Sequence, residues 1–228
     1  MNAPLDRLPT FGSVVAVCAH PDDESFGLGA VLSALAERGS ATSVLCFTHG
    51  EASTLGAATT PSHLAEIRAT ELANAAEALG VTTVRLHSYA DGALESASFD
   101  ELVRHIVDLA TERAADCLLV FDEGGITGHP DHQRATRTAL AAADQRAVPV
   151  LAWTLPQSVT TVLNDEFHAG FVGRPPDEID FVLEVDRHRQ RAAIACHATQ
   201  ATDNPVLKRR LALQADSESL RWLRAPSA

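Results

Sequence analysis

At 228 residues, 46% hydrophobic and 21% charged, the chain suits one α/β domain with a sizeable core rather than two small ones. A formal charge of -12, with Lys and Arg dispersed apart from "LKRRL" at 207–211, repels phosphate backbones and argues against nucleic acid as a partner. No run of about 18 apolar residues appears, and "MNAPLDRLPTFG" lacks the basic and apolar stretches of a signal peptide, so a soluble cytoplasmic protein without membrane insertion is expected.

Along the chain, short β-branched runs at 13–18, 42–47, 82–86, 117–121 and 149–154 have the length of buried strands. Between them lie Ala/Leu-rich segments of helical length. Leu28, Val31, Leu32 and Leu35 recur at helical spacing, as do Leu64, Ile67, Leu72, Ala75 and Leu79 before a stop at Gly80. The second of these helices opens with Thr60 as N-cap and Pro61 in its first turn. After Thr154 the rhythm loosens: "GFVGRPPDEIDF" reads as a loop, 179–185 as a strand and 187–199 as a helix. The βαβα order predicts a mostly parallel sheet covered by helices on both faces, and no linker divides 1–228. Cys18, Cys46, Cys117 and Cys196 lie singly in apolar segments and read as reduced thiols.

In a doubly wound sheet, ligands bind beyond the carboxyl ends of the strands. Four polar loops fall there in succession: "HPDDE", "THGEAS", "HSYADGAL" and "DEGGITGHPDH". In the first, His20, Asp22, Asp23, Glu24 and Ser25 stand directly behind an apolar run, and helix capping alone explains "PDDES" as well as a site does. The second cluster tips the balance, because His129 and His132 follow a glycine-rich loop at the same rim. An open catalytic zinc site takes three His or carboxylate ligands. His20, Asp23 and His132 supply that set, and Asp22 lies beside it as general base for a water whose pKa the metal lowers to about 7. His129, as an imidazolium, would stabilise the developing oxyanion or protonate the leaving amine, with Asp131 orienting it and raising its pKa. The same two histidines and one aspartate also match the facial triad of a non-haem iron oxygenase, which usually sits on a β jelly roll. A non-catalytic domain that keeps a structural metal would need a fourth protein ligand.

"AHPDDE" at 19–24 together with "GHPDH" at 128–132 resembles the LmbE-like or PIG-L family of zinc-dependent N-deacetylases. Glu51, Arg68 in "IRATELANAAEALG", Asp91 with Gly92, and "ACHATQ" also look like family features. The resemblance implies a Rossmann-like three-layer sandwich and a metal held by His20, Asp23 and His132. That metal is Zn2+, with Fe2+ or another divalent ion open. Asp22 is then the base, His129 the oxyanion stabiliser or acid, and Arg68 and Asp91 the groups on sugar hydroxyls or a polar substituent. The implied substrate is a small N-acetylated amino sugar, cleaved to amine and acetate; an amidase acting on a larger thiol-sugar conjugate is the alternative, and a homo-oligomer stays open. The chain reads "HATQ" where the family has "HxSQ", and its last third carries no recognisable substrate-lining segment. Taken alone, Arg68 reads as a surface ion pair and His197 with Gln200 as a satisfied core pair. His49, His63, His87, His105, His168 and His188 read as surface or structural.

Overall fold

The computed structural model describes residues 8–55 and 59–226; residues 1–7, part of the segment read as lacking a signal peptide, lie outside the described residues. The elements run β1 (Ser13–Cys18), α1 (Asp23–Phe26), α2 (Gly29–Glu37), β2 (Ala41–Thr48), α3 (Pro61–Leu79), β3 (Thr83–Tyr89), α4 (Phe99–Glu112), β4 (Cys117–Phe121), α5 (Gly125–Gly128) and α6 (Pro130–Arg146). There follow β5 (Val150–Thr154), α7 (Gln157–Phe167), β6 (Phe181–Glu184), α8 (His188–Cys196), α9 (Ala198–Ala201), α10 (Pro205–Gln214) and β7 (Ser217–Arg224).

β1 is buried at every position, and apolar from Val14 onward, because it is covered on both sides. Val14, Ala16 and Cys18 face one core and Val15, Val17 and Ala19 the other, the alternation that a strand's two-residue period dictates. One core packs the sheet against Leu28, Leu32 of α2, Leu72 and Leu79 of α3, and Leu163 of α7. The other packs it against Leu102, Ile106 and Leu109 of α4 and Ala139 and Ala143 of α6. Each fully buried leucine contributes about 1.5–3 kcal/mol. The helix 61–79 starts and stops as its sequence predicts: the Thr60 side chain accepts from His63 N, Pro61 opens the first turn, and Gly80 closes it at φ 81.

The sheet has seven strands in the order β3-β2-β1-β4-β5-β7-β6. β1 to β5 pair in parallel, and the order reverses between β1 and β4. That reversal opens a crevice at their carboxyl ends. The Rossmann-like three-layer architecture is thus as expected.

The last third departs from expectation. β6 is shorter than 179–185 and pairs with β7, which enters antiparallel between β5 and β6. "SESLRWLR" hides this strand because Glu218 is fully buried within it, neutralised by an ion pair with Arg187. The helix expected over 187–199 breaks at His197, whose φ of -88 and ψ of 58 are not helical. No helix among the described residues is long and apolar enough to cross a membrane. The four cysteines are free, with Cys18, Cys46 and Cys117 buried.

Candidate active site

The turn from β1 into α1 is held by its own side chains. Asp23 Oδ2 accepts from the backbone N–H groups of Ala19 and His20, both at 2.9 Å, which leaves Oδ1 for other work. Asp22 sits at φ 118, a conformation that costs a non-glycine residue about 1–3 kcal/mol and persists where surrounding contacts over-determine it. Here those contacts are specific. Asp22 N donates to Glu24 Oε2 at 2.9 Å, and Glu24 Oε1 takes Ser25 Oγ and His197 Nε2, each at 2.6 Å. Glu24 and Ser25 therefore brace the turn that presents His20, Asp22 and Asp23.

The loop after β4 is built in the same manner. Gly125 and Ile126 both have φ 65, and the left-handed path turns the Gly125 carbonyl onto His132 Nδ1 at 3.1 Å. His132 then presents Nε2, since the bond at one ring nitrogen fixes the role of the other. Nε2 lies 3.1 Å from Asp23 Oδ1 and 3.2 Å from His20 Nδ1. The far nitrogen of His20 is held by two carboxylates, Asp91 Oδ1 at 3.0 Å and Asp131 Oδ2 at 3.3 Å. His129 caps α6, its Nδ1 accepting from Asp131 N at 3.2 Å, so a neutral ring carries its proton on Nε2.

One expectation is corrected here. The Asp131 carboxylate does not orient His129; fully buried, it accepts from Gly92 N at 2.8 Å and Leu94 N at 3.1 Å and ties the β3 loop to His20. The His129 pKa is lowered rather than raised, first by burial and then by the nearby His132 and His20, with Asp131 opposing only weakly. The lowered pKa favours the neutral form of His129 over the imidazolium.

The remaining charges follow from contact. Burial alone would lower His20, but its bonds to Asp131 and Asp91 raise it to about 10. Burial likewise opposes and Asp23 outweighs it at His132, which is raised. At Asp23 burial acts upward, yet His132 and His20 hold the carboxyl below the usual range. Burial pushes Asp22 up to about 6 against the pull of Arg68, with the Asp23 charge adding to the rise.

His20 and His132 with Asp23 Oδ1 fit a small divalent cation. Ligands about 2.0–2.1 Å from one ion in tetrahedral array stand about 3.3 Å apart, close to the 3.1 and 3.2 Å from His132 Nε2 to Asp23 Oδ1 and His20 Nδ1, while His20 Nδ1 meets Asp23 through Oδ2 at 3.9 Å. The sets whose ligand atoms all lie within 4.8 Å of one another also share His20: His20 with His129 and His132, and His20 with Asp91 and Asp131. Asp131 is engaged by backbone N–H groups and Asp91 by Ala52 N, so the second set supports His20 from behind. His129 Nε2 is the competitor to Asp23 as third ligand.

Arg68 is not a surface pair. It is 3% exposed, and its guanidinium donates to Asp22 Oδ2 at 2.9 Å, Gly50 O at 2.5 Å and Pro21 O. Gly50 must be glycine for this: its φ is 66, and a Cβ there would stand 2.0 Å from Arg68 Nη1. Asp91 Oδ2 accepts from Ala52 N at 2.9 Å, and Asp91 N donates to Glu51 Oε1 at 3.1 Å. Both residues line the cavity while serving protein partners.

That cavity has a volume of about 520 Å³. All four polar loops contribute to it, as expected, and the last third supplies an apolar wall with Phe171 and Leu207 beside Phe26, Phe121 and Trp153. The sequence reading missed this wall and Arg210 within it, for no local motif marks them. His197 and Gln200 are not a mutual pair: His197 binds Glu24 with Nδ1 buried and unpartnered, while Gln200 Oε1 accepts from Ser53 Oγ at 2.8 Å.

The strand order and the His/carboxylate cluster at its reversal point define a doubly wound α/β protein with a candidate metal centre. The chain belongs to the PIG-L family, described as GlcNAc-PI de-N-acetylase, which it matches over residues 15–143. A relative named 1D-myo-inositol 2-acetamido-2-deoxy-alpha-D-glucopyranoside deacetylase 1, from Catenulispora acidiphila, is 35% identical over 162 residues, 61% of this chain and 50% of that protein. The like-named deacetylase of Salinispora arenicola is 31% identical over 240 residues, 85% of this chain and 78% of that protein. The match thus spans about half the length of the first relative and more of the second.

Among solved structures, the fold is shared with GalB, the 4-carboxy-2-hydroxymuconate hydratase of Pseudomonas putida, at TM-score 0.73 and 18% identity over 95% of this chain and 98% of that one. It is shared also with N,N'-diacetylchitobiose deacetylase from Pyrococcus horikoshii, at TM-score 0.70 and 19% identity over 94% and 84%. A hydratase and a deacetylase on one fold leave the chemistry to be argued from the site.

Proposed function

We propose that this chain is a divalent-metal-dependent hydrolase that removes the N-acetyl group from an amino-sugar-type small molecule, giving a free amine and acetate. The observation that carries the reading is His132 Nε2 standing within 3.2 Å of both His20 Nδ1 and Asp23 Oδ1, with Asp22, a carboxylate left outside that trio, beside them. His20, Asp23 and His132 would hold the ion; the all-nitrogen-and-oxygen set suits zinc, and Fe2+ or another divalent ion can occupy it according to supply. When bound, the cation polarises the acetamide carbonyl and acidifies a water to a pKa near 7.

The side chains do the rest. Asp22, ionised at neutral pH and fixed through Oδ2 by Arg68, takes the proton of the attacking water and returns it to the leaving nitrogen. His129 donates from Nε2 to the charge that develops on the carbonyl oxygen. Arg68 and Asp91, lining the cavity beside the cluster, are the proposed contacts for ring hydroxyls. The acetamido sugars in the relatives' names support the substrate class.

The reading treats 1–228 as one domain, supported by a single sheet into which the last strand is inserted. Four free cysteines support a reducing, cytoplasmic compartment. One observation favours a second substrate type: the wall of Phe26, Phe121, Trp153, Phe171 and Leu207 suits an amide larger than acetyl. Amine release, measured on metal-defined protein with N-acetylglucosamine derivatives, simple acetamides and longer-chain amides, decides. Acetylated sugars should lead. Preference for long chains would replace the deacetylase by the amidase, and no amine from any amide would sink the hydrolase reading.

A further inference from the structure

Two buried arginines line the cavity, and they differ in what neutralises them. Arg68 has a carboxylate, Asp22, at 2.9 Å. Arg210, on α10 and 4% exposed, has none among the described residues. Of its five N–H donors, one Nη1 proton goes to Gln214 Oε1 at 2.7 Å and one Nη2 proton to Phe26 O.

The carboxylate that Arg210 reaches through Gln214, Glu218, is already committed. Its Oε1 takes Arg187 at 2.5 Å, and its Oε2 takes Trp153 Nε1 at 2.7 Å and Gln214 Nε2 at 2.9 Å. Arg210 reaches it only through Gln214. The buried group therefore sets two guanidinium ions, Arg187 and Arg210, against one carboxylate. Burial depresses Arg210 to about 10, against the pull of Glu218 and with Arg187 adding to the fall. An uncompensated buried charge is unfavourable unless something joins it.

Position says what could join it. From the candidate metal ligand His132 the rings of Phe121 and Trp153 follow at 5.0 and 5.4 Å between centroids, and the Arg210 guanidinium lies 5.1 Å over Trp153. A molecule with its acetamide at the cluster extends along these rings toward Arg210. The planar fork of a guanidinium matches an oxyanion with two acceptor oxygens, and the apolar surroundings strengthen the pair.

We propose that Arg210 anchors a carboxylate or phosphate borne on the substituent of the amino sugar, so that the preferred substrate is an acidic acetamido-sugar derivative. The proposal rests on the hydrolase reading for the placement of the acetamide. It would specialise this chain within its family through a residue of the last third.

The test uses metal-loaded protein and three N-acetylglucosaminides that differ only in the end group of the aglycone: carboxylate, phosphate or primary amide. Wild type should favour at least one anion by about ten-fold or more in kcat/KM, the size of one charge-assisted hydrogen bond. Arg210→Met should bring the ratio to near one. A wild-type ratio near one for both anions overturns the proposal, and so does a folded R210M protein that keeps the ratio. Should R210M not fold, Trp153 emission in a Trp222→Phe protein carries the test, with a shift expected for an anionic glycoside only and an equal response overturning it. If no glycoside is cleaved, calorimetric binding to the Asp22→Asn protein separates the two readings: tighter binding of an anion keeps the anchor while hydrolysis falls, and equal binding removes the anchor.

Discussion

The two walls of the cavity are built on opposite plans. Around the cluster, several polar side chains answer to a near neighbour in sequence or to a backbone group: Asp23 to Ala19 and His20, Glu24 to Asp22, His129 to Asp131, His132 to Gly125, while side chains from other loops hold His20 and Asp22 in place. The wall of the last third is made by long-range packing, with Phe26, Phe121, Trp153 and Arg210 contributed by four different segments. The first plan fixes reactive atoms to fractions of an ångström, as chemistry demands. The second shapes a volume, which many residue combinations can do. Substitutions in the first wall should therefore act on turnover, and those in the second on which molecule is chosen.

The sharpest break in that comparison lies at the metal. His20→Ala, Asp23→Ala and His132→Ala should each lose stoichiometric metal and reduce amine release to background, with a chelator doing the same reversibly in the parent. Metal content by atomic emission checks this. His129→Ala should keep the metal; if it loses the ion while Asp23→Ala retains it, the third ligand is His129 and the trio becomes three histidines.

Next in size is the base. Asp22→Asn should retain metal and lose about 10²–10⁴ in kcat, the usual weight of general-base catalysis. Parental turnover in that protein would require another base. His129→Ala should lose about 10²–10³, the effect typical of one oxyanion donor, and mainly in kcat. A loss confined to KM would instead assign His129 to substrate binding.

How much of this was legible follows the same division. Strands β1 to β5 and helix α3 were readable because burial on both faces and capping write local patterns. The cluster was readable because metal and proton chemistry restrict residue type at fixed spacing, as in "HPDDE" and "HPDH". β7 was not, since Glu218 is tolerable in a buried strand only through Arg187, and that partner is 31 residues away in sequence. Arg68 read as surface for a similar reason. Its acceptors, the Gly50 and Pro21 carbonyls and Asp22, come from two other loops. The Asp131 role was misread because an i, i+2 neighbour looks like a partner, whereas the N-cap of α6 turns the carboxylate away to Gly92 and Leu94.

The last effect expected is on stability rather than turnover, and it concerns the brace beneath the first wall. Glu24 and His197 are both fully buried and meet at 2.6 Å, and Glu24 in turn holds Asp22 in its strained conformation. Burial alone would lower the His197 pKa, but Glu24 outweighs it and the net shift is upward. A histidine whose folded pKa exceeds its unfolded value of about 6.5 adds stability that is complete below that value and fades as pH rises through the folded one. His197→Gln should therefore be less stable than the parent by about 3–5 kcal/mol near pH 6, the range for breaking a buried pair. The gap should narrow as pH rises through the raised pKa of the folded parent, where its histidine gives up its proton. Urea unfolding of both proteins across this range measures it. A gap that stays constant would mean that His197 supports the turn by packing alone, and a gap that widens would reverse the sign assigned to the pair.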